Sequence, residues 1–277
     1  APTLCAASRN VPEQLGKTLQ EQNVPVILTS GTLRAGNSFE RIRQELGLTS
    51  AVIGEFTAES PFNYEENCLL YIPQTEQKVV VDTEEEIAYL AEQILDLTAA
   101  THGHTLALFT SYALMGRVHK RLKERLAFPL LTVWQHSERV IGQFKQLPNA
   151  ILFAAGSCWE GMDFPRDMVS SLIIPRLPFP VPTPLSQAEQ EKYPSLSAYI
   201  QTAVVSEMQR KLRQGFGRAI RTETDTCVIS ILDQRVVPNG RYYRAMRDAL
   251  PKMPLTRELK EVERFVRKKK SAEYFCP

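Results

Sequence analysis

Short, almost wholly apolar runs recur along the chain between stretches with helical spacing. They are Val24–Ser30, Leu69–Ile72, Leu106–Thr110, Leu130–Val133, Ala150–Ala155, Ser171–Pro175 and Thr226–Leu232. Runs such as ILFAA and TCVISIL lack the in/out alternation of a half-solvated strand. They suit strands buried on both faces, as in a parallel sheet covered by helices. Helix-like segments fall at about 38–46, 84–98, 112–126, 137–147, 195–221 and 241–249. The second opens with Asp82-Thr83-Glu84-Glu85-Glu86, a capping residue followed by acids that suit the positive end of a helix dipole. This alternation predicts a doubly wound, mostly parallel α/β domain.

Two segments stand outside the rhythm. LPFPVPTPLSQAEQEKYP places prolines at 178, 180, 182, 184 and 194, which predicts an extended surface excursion rather than helix or sheet. The end, Arg267-Lys268-Lys269-Lys270, reads as a solvated helix terminus. The expected division is a lead-in segment over 1–24, one α/β domain over 25–250 and a basic C-terminal tail over 251–277.

Composition narrows the chemistry. Net charge is +2, so any nucleic-acid partner would be held by a local basic groove rather than by total charge. The cysteines, Cys5, Cys68, Cys158, Cys227 and Cys276, are odd in number and far apart, with no CxxC pair. Neither a zinc site nor a disulfide framework is predicted, and reduced thiols in a cytoplasmic protein are expected. No apolar run is long enough to span a bilayer, so no membrane partner is expected.

The stretch QGFGRAIR, 214–221, is the densest in candidate chemistry. With 204–221 read as one helix, Val204, Val205, Met208, Leu212, Phe216 and Ala219 share a side, and Arg210, Gln214, Arg218 and Arg221 line the other. Gly217 lies beside that ridge, where a missing side chain permits close approach. A solvated polar face has this pattern too. Yet two guanidiniums three residues apart also suit a polyphosphate, since each can grip oxygens through paired donors.

Three loops leave apolar runs with polar groups ready. GSCWEGMDF, 156–164, offers Glu160 and Asp163, able to hold a ribose, a metal-bound water or an arginine, or to serve only as a polar turn. Thr110 and Ser111 in FTSY, and Gly31 and Thr32 in TSGTL, offer hydroxyls and amides that suit phosphate oxygens or cap helices.

In their order and spacing TSGTL, FTSY, GSCWEGMDF and QGFGRAIR resemble motifs III to VI in the second motor domain of superfamily 2 helicases of the XPD/DinG type. RLPFPVPTPL and Leu232-Asp233-Gln234-Arg235 are similar to the bacterial DinG branch. The resemblance covers roughly residues 25–235 and implies a RecA-like fold. It implies that Arg218 and Arg221 act as catalytic arginine fingers on the γ-phosphate of ATP, with Gln214 and Gly217 at the nucleotide. It places Glu160 and Asp163 with the nucleotide-binding residues, coupling that site to DNA, and Gly31, Thr32, Thr110 and Ser111 on the single-stranded DNA backbone. The family translocates 5′ to 3′ and carries an iron–sulfur cluster in its first motor domain.

The departures are specific. No G-x-x-x-x-G-K-[ST], no DEAH-like acid box and no four-cysteine pattern occurs in these residues. The expectation is the C-terminal motor domain of an ATP-dependent DNA helicase, whose ATP and Mg²⁺ are held mainly by an N-terminal motor domain of the same polypeptide. The alternative is a non-catalytic module that binds nucleic acid or protein on a relic motor fold.

Overall fold

Apolar runs become strands where a neighbouring strand completes their backbone hydrogen bonds. The computed structural model describes residues 8–276 except 9, 23, 35–37, 49–52, 76–79, 135–136, 160–163 and 165. The strands are β1 (Cys68–Tyr71), β2 (Thr105–Phe109), β3 (Leu130–Thr132), β4 (Ile151–Ala155), β5 (Ser171–Ile174), β6 (Cys227–Ile231) and β7 (Leu255–Thr256). They form one all-parallel sheet in the order β3-β4-β2-β5-β6-β1-β7. The helices are α1 (Val11–Gln20), α2 (Glu40–Glu45), α3 (Tyr64–Asn67), α4 (Glu84–Ala100), α5 (Tyr112–Leu122), α6 (Ser137–Phe144), α7 (Pro184–Gln190), α8 (Leu196–Tyr199), α9 (Val205–Phe216), α10 (Tyr243–Ala249) and α11 (Leu259–Lys269).

The chain divides into two compact units. The sheet lies in the unit made of 61–178 and 211–277. Its strands β1, β2, β4, β5 and β6 are buried throughout, as expected of runs without alternation. On one face Ala107, Phe109, Phe153 and Val228 meet Ile87, Leu90 and Ile94 of α4, Met115 and Val118 of α5, and Val262 and Val266 of α11. On the other face Leu106, Leu108, Leu152 and Ile229 are fully buried, and Leu108 lies next to Gly215 of α9. The α/β, RecA-like architecture is therefore present. Residues 251–277, expected as a basic C-terminal tail, supply β7 and α11 to it. Val262 and Val266, one helical turn apart, are buried. Of the terminus expected to be solvated, Arg267 and Lys268 are exposed, but Lys269 pairs with Glu66 at 3.1 Å and Lys270 donates to Thr226 O at 3.0 Å.

The other unit, 1–60 and 179–210, contains no run of strand among its described residues. The expected strand Val24–Ser30 does not form there. Val24 and Ile27 are 63% and 88% exposed, and no strand pairs with this run among the described residues. Arg41 of α2 bridges Glu45 and Glu189, at 2.7 Å each. The proline excursion runs without regular structure to Thr183, whose hydroxyl caps α7 with Pro184 at its first position. The long helix expected over 195–221 is also broken. A π-helical turn, Ile200–Val204, joins α8 to α9, and α9 stops at Phe216.

Among the described residues no helix is long and apolar enough to cross a membrane.

Candidate nucleotide and nucleic-acid site

The end of α9 is shaped by its glycines. Gly217 N–H still bonds Arg213 O at 3.0 Å, but Arg218 and Ala219 N–H reach back only three residues, to Gly215 and Phe216 carbonyls. The last turn tightens and stops. Arg218 and Arg221 therefore lie beyond the helix, not on one ridge with Arg210 and Gln214 as the 3.6-residue period suggested. Arg218 is half-buried, with an exposed Arg221. Asp225 fixes the backbone that carries Arg221: its Oδ2 accepts the N–H groups of Arg221 and Thr222, at 2.8 Å each. Asp225 is 7% exposed, and the sequence reading did not single it out.

The glycine required by close approach is Gly215, not Gly217. A Cβ on Gly215 would lie 2.8 Å from Trp159 Cζ3 and 3.3 Å from Leu108 Cδ1; one on Gly217 would meet only its own turn, at 3.4 Å. Trp159 is the residue that the sequence missed. It ends a 3-10 turn, Gly156–Trp159, that leaves β4, and Gly156 has φ +65° where an L side chain is strained. The indole is 1% exposed and donates from Nε1 to Phe109 O at 2.8 Å. The end of β2, the turn after β4 and the end of α9 thus meet on one side chain. Its only sequence signal is a tryptophan in the first turn after a buried strand.

Thr110 follows Phe109 and is half-buried. Ser111 caps α5, its hydroxyl accepting Leu114 N–H at 3.1 Å. Burial pushes the neighbouring Cys158 thiol above its ordinary value, which keeps it protonated and non-nucleophilic. Glu160 and Asp163 lie outside the described residues. Gly31 and Thr32 belong to the other unit, where Thr32 N–H bonds Ser30 Oγ at 3.2 Å in a local turn. Among the described residues no group of three or more His, Cys, Asp or Glu side chains is placed to hold a metal ion.

The start of the proline excursion is clamped. Arg176 pairs through Nε with Glu86 Oε1 at 2.7 Å and through Nη2 with Asp82 at 2.9 Å. Asp233 accepts Leu177 N–H at 2.8 Å and Arg235 Nε at 2.9 Å.

Residues 94–253, more than half of the chain, match the family described as helicase C-terminal domain. The ATP-dependent DNA helicase YoaA of Haemophilus influenzae is 32% identical over 271 residues, covering 94% of this chain and 40% of that protein. The ATP-dependent DNA helicase DinG of Photobacterium profundum is 34% identical over 252 residues, covering 86% of this chain and 35% of that protein. The chain thus spans less than half the length of either relative. A solved XPD helicase superposes with a TM-score of 0.54 at 19% identity, over 69% of this chain and 36% of that one. With the family match, a parallel α/β sheet, and the ends of β2 and α9 meeting the turn after β4 at Trp159, the chain belongs to the helicase C-terminal domain family, in its DinG/XPD-type branch.

Proposed function

We propose that this chain is the second motor domain of an ATP-dependent DNA helicase. It supplies Arg218 and Arg221 to the γ-phosphate of ATP and part of the track for single-stranded DNA. The observation that supports this reading best is Trp159. Through Phe109 O and Gly215 it couples the loop of Thr110 and Ser111 to the segment that ends in Arg218 and Arg221. A change at the nucleotide would then be felt at the DNA-facing loop through close-packed atoms rather than through a mobile linker.

In this reading ATP and Mg²⁺ sit mainly on an N-terminal motor domain of the same polypeptide. The two guanidiniums complete the site by stabilising charge on the transferring phosphoryl group. Gln214 and Gly217 line the nucleotide, Glu160 and Asp163 link it to DNA, and Gly31 and Thr32 add to the track with Thr110 and Ser111. Movement is 5′ to 3′, which strand displacement on 5′- and 3′-tailed duplexes checks in a helicase containing this domain. Unwinding only from a 3′ tail would overturn that polarity.

Two results are expected of the chain alone. ATP hydrolysis stays at background even with DNA, because no phosphate-cradling loop accompanies the arginines; DNA-stimulated turnover would contradict this. Binding of single strands is weak, tolerant of sequence and steeply weakened by salt, since the loop hydroxyls and amides address the backbone. Tight binding that survives high salt, or strong preference among sequences, would count against this backbone-directed track.

A further inference from the structure

One stripe of α5 is unused by the function just described. Tyr112, Gly116, His119 and Lys123 follow at offsets of four, three and four, so they share one side of the helix and its C-terminal cap. Trp134, just past β3, lies across that stripe: a Cβ on Gly116 would sit 3.0 Å from Trp134 Cη2. His119 meets the indole edge-on, ring centroids 6.1 Å apart. At the head of the stripe the Tyr112 ring rests on Gly156, where a Cβ would lie 3.0 Å from the phenol oxygen.

Both rings remain open to solvent, Tyr112 at 45% and Trp134 at 46% exposure. Single exposed apolar residues are ordinary. Two aromatic rings, each seated on its own glycine, are a different matter. Glycine within a helix costs about 1 kcal/mol relative to alanine, and at Gly116 the atom it omits is the one that would displace the indole. The seat orients an exposed ring without burying it. Exposed Lys120 flanks the stripe, and Lys123 lies on it with Glu124 at 3.4 Å, whereas Arg117 and Arg121 turn away to Glu84. Burial and Lys123 together hold the His119 imidazole below its ordinary range, so it packs as a neutral ring.

We propose that Tyr112 and Trp134 form a base-stacking platform for single-stranded DNA, extending along α5 the track that begins at Thr110 and Ser111. This rests on the DNA-binding reading above. Single-strand channels combine aromatic faces with a positive groove, and stacking accepts any base because every base has a π-face. The lysines along the stripe match a phosphate backbone better than an apolar protein surface.

Of the two tryptophans Trp159 is buried beyond the reach of a bound base, so quenching of the indole emission by a strand reports on Trp134. The probes are oligo(dT) and an abasic strand of equal length and charge. Oligo(dT) is expected to quench the emission and the abasic strand to leave it unchanged. Trp134→Ala is expected to weaken oligo(dT) binding, read by anisotropy, about 5- to 150-fold, with no change for the abasic strand. Trp134→Phe should restore most of the loss, and Tyr112→Ala should reproduce it independently. Equal affinity for both strands, unaltered by Trp134→Ala and Tyr112→Ala, would overturn the platform and leave the DNA reading standing. Failure of the chain to bind either strand in low salt would remove the DNA reading, and the platform with it.

Discussion

In a helicase containing this domain, Arg221→Ala is expected to lower ATP turnover by about 10³–10⁵, the worth of an arginine finger, while nucleotide Kd changes far less. The difference arises because the guanidinium meets charge that develops only as the phosphoryl group transfers. Arg221→Lys should restore little, since an ammonium lacks the planar pair of donors. Asp225→Ala should also lower turnover without removing any group that would touch ATP. It leaves the Arg221 and Thr222 N–H groups without their carboxylate, at about 1–3 kcal/mol, and loosens the segment that aims Arg221. A merely solvated arginine predicts otherwise: stability within about 0.5 kcal/mol of the unmodified protein and unchanged turnover. Measuring kcat and nucleotide Kd together separates the two. Normal turnover in a folded Arg221→Ala protein would sink the assignment.

The second large effect is expected at Trp159. Truncation to alanine empties a fully enclosed site and should cost about 3–5 kcal/mol of stability, read by denaturant unfolding. Gly215→Ala should cost about 1–3 kcal/mol, because its methyl would lie 2.8 Å from the indole. The two changes should not add. With the indole gone the new methyl has room, so Gly215→Ala made in the Trp159→Ala background should cost at least 1 kcal/mol less than alone. Additivity would mean that the two residues are not packed as described. Trp159→Phe keeps most of the volume but loses the donor to Phe109 O, and should fall between.

The sheet was legible in the sequence because strands buried on both faces need apolar residues at every position. Six of the expected runs became β1 to β6. Val24–Ser30 carries the same signal and formed no strand, since a run records its own burial preference but not the presence of a neighbour to pair with. β7 is two residues long and α11 buries chiefly Val262 and Val266, too little apolar content to stand out beside a run of lysines. At the site, residue types were readable and their local geometry was not. A period of 3.6 residues placed Arg218 and Arg221 on a helix that ends at Phe216, and it cannot register the π-helical turn at Ile200–Val204. The tight internal packing lies at Gly215 rather than Gly217, and the sequence could not separate the two because the deciding contact comes from Trp159, more than fifty residues earlier in the chain.

The position of β1 in the sheet bears on how the protein is made. Cys68 pairs in register with Cys227, and β7, the other neighbour of β1, begins at Leu255. At about 5–20 residues per second of synthesis, β1 emerges roughly 8–30 s before either partner exists. The strands β2 to β5 can assemble in that interval, as they pair among themselves. Cys-Leu-Leu-Tyr, wholly buried in the finished sheet, waits outside it. A newly made chain therefore carries this apolar strand unpaired until residues 227–231 have left the ribosome.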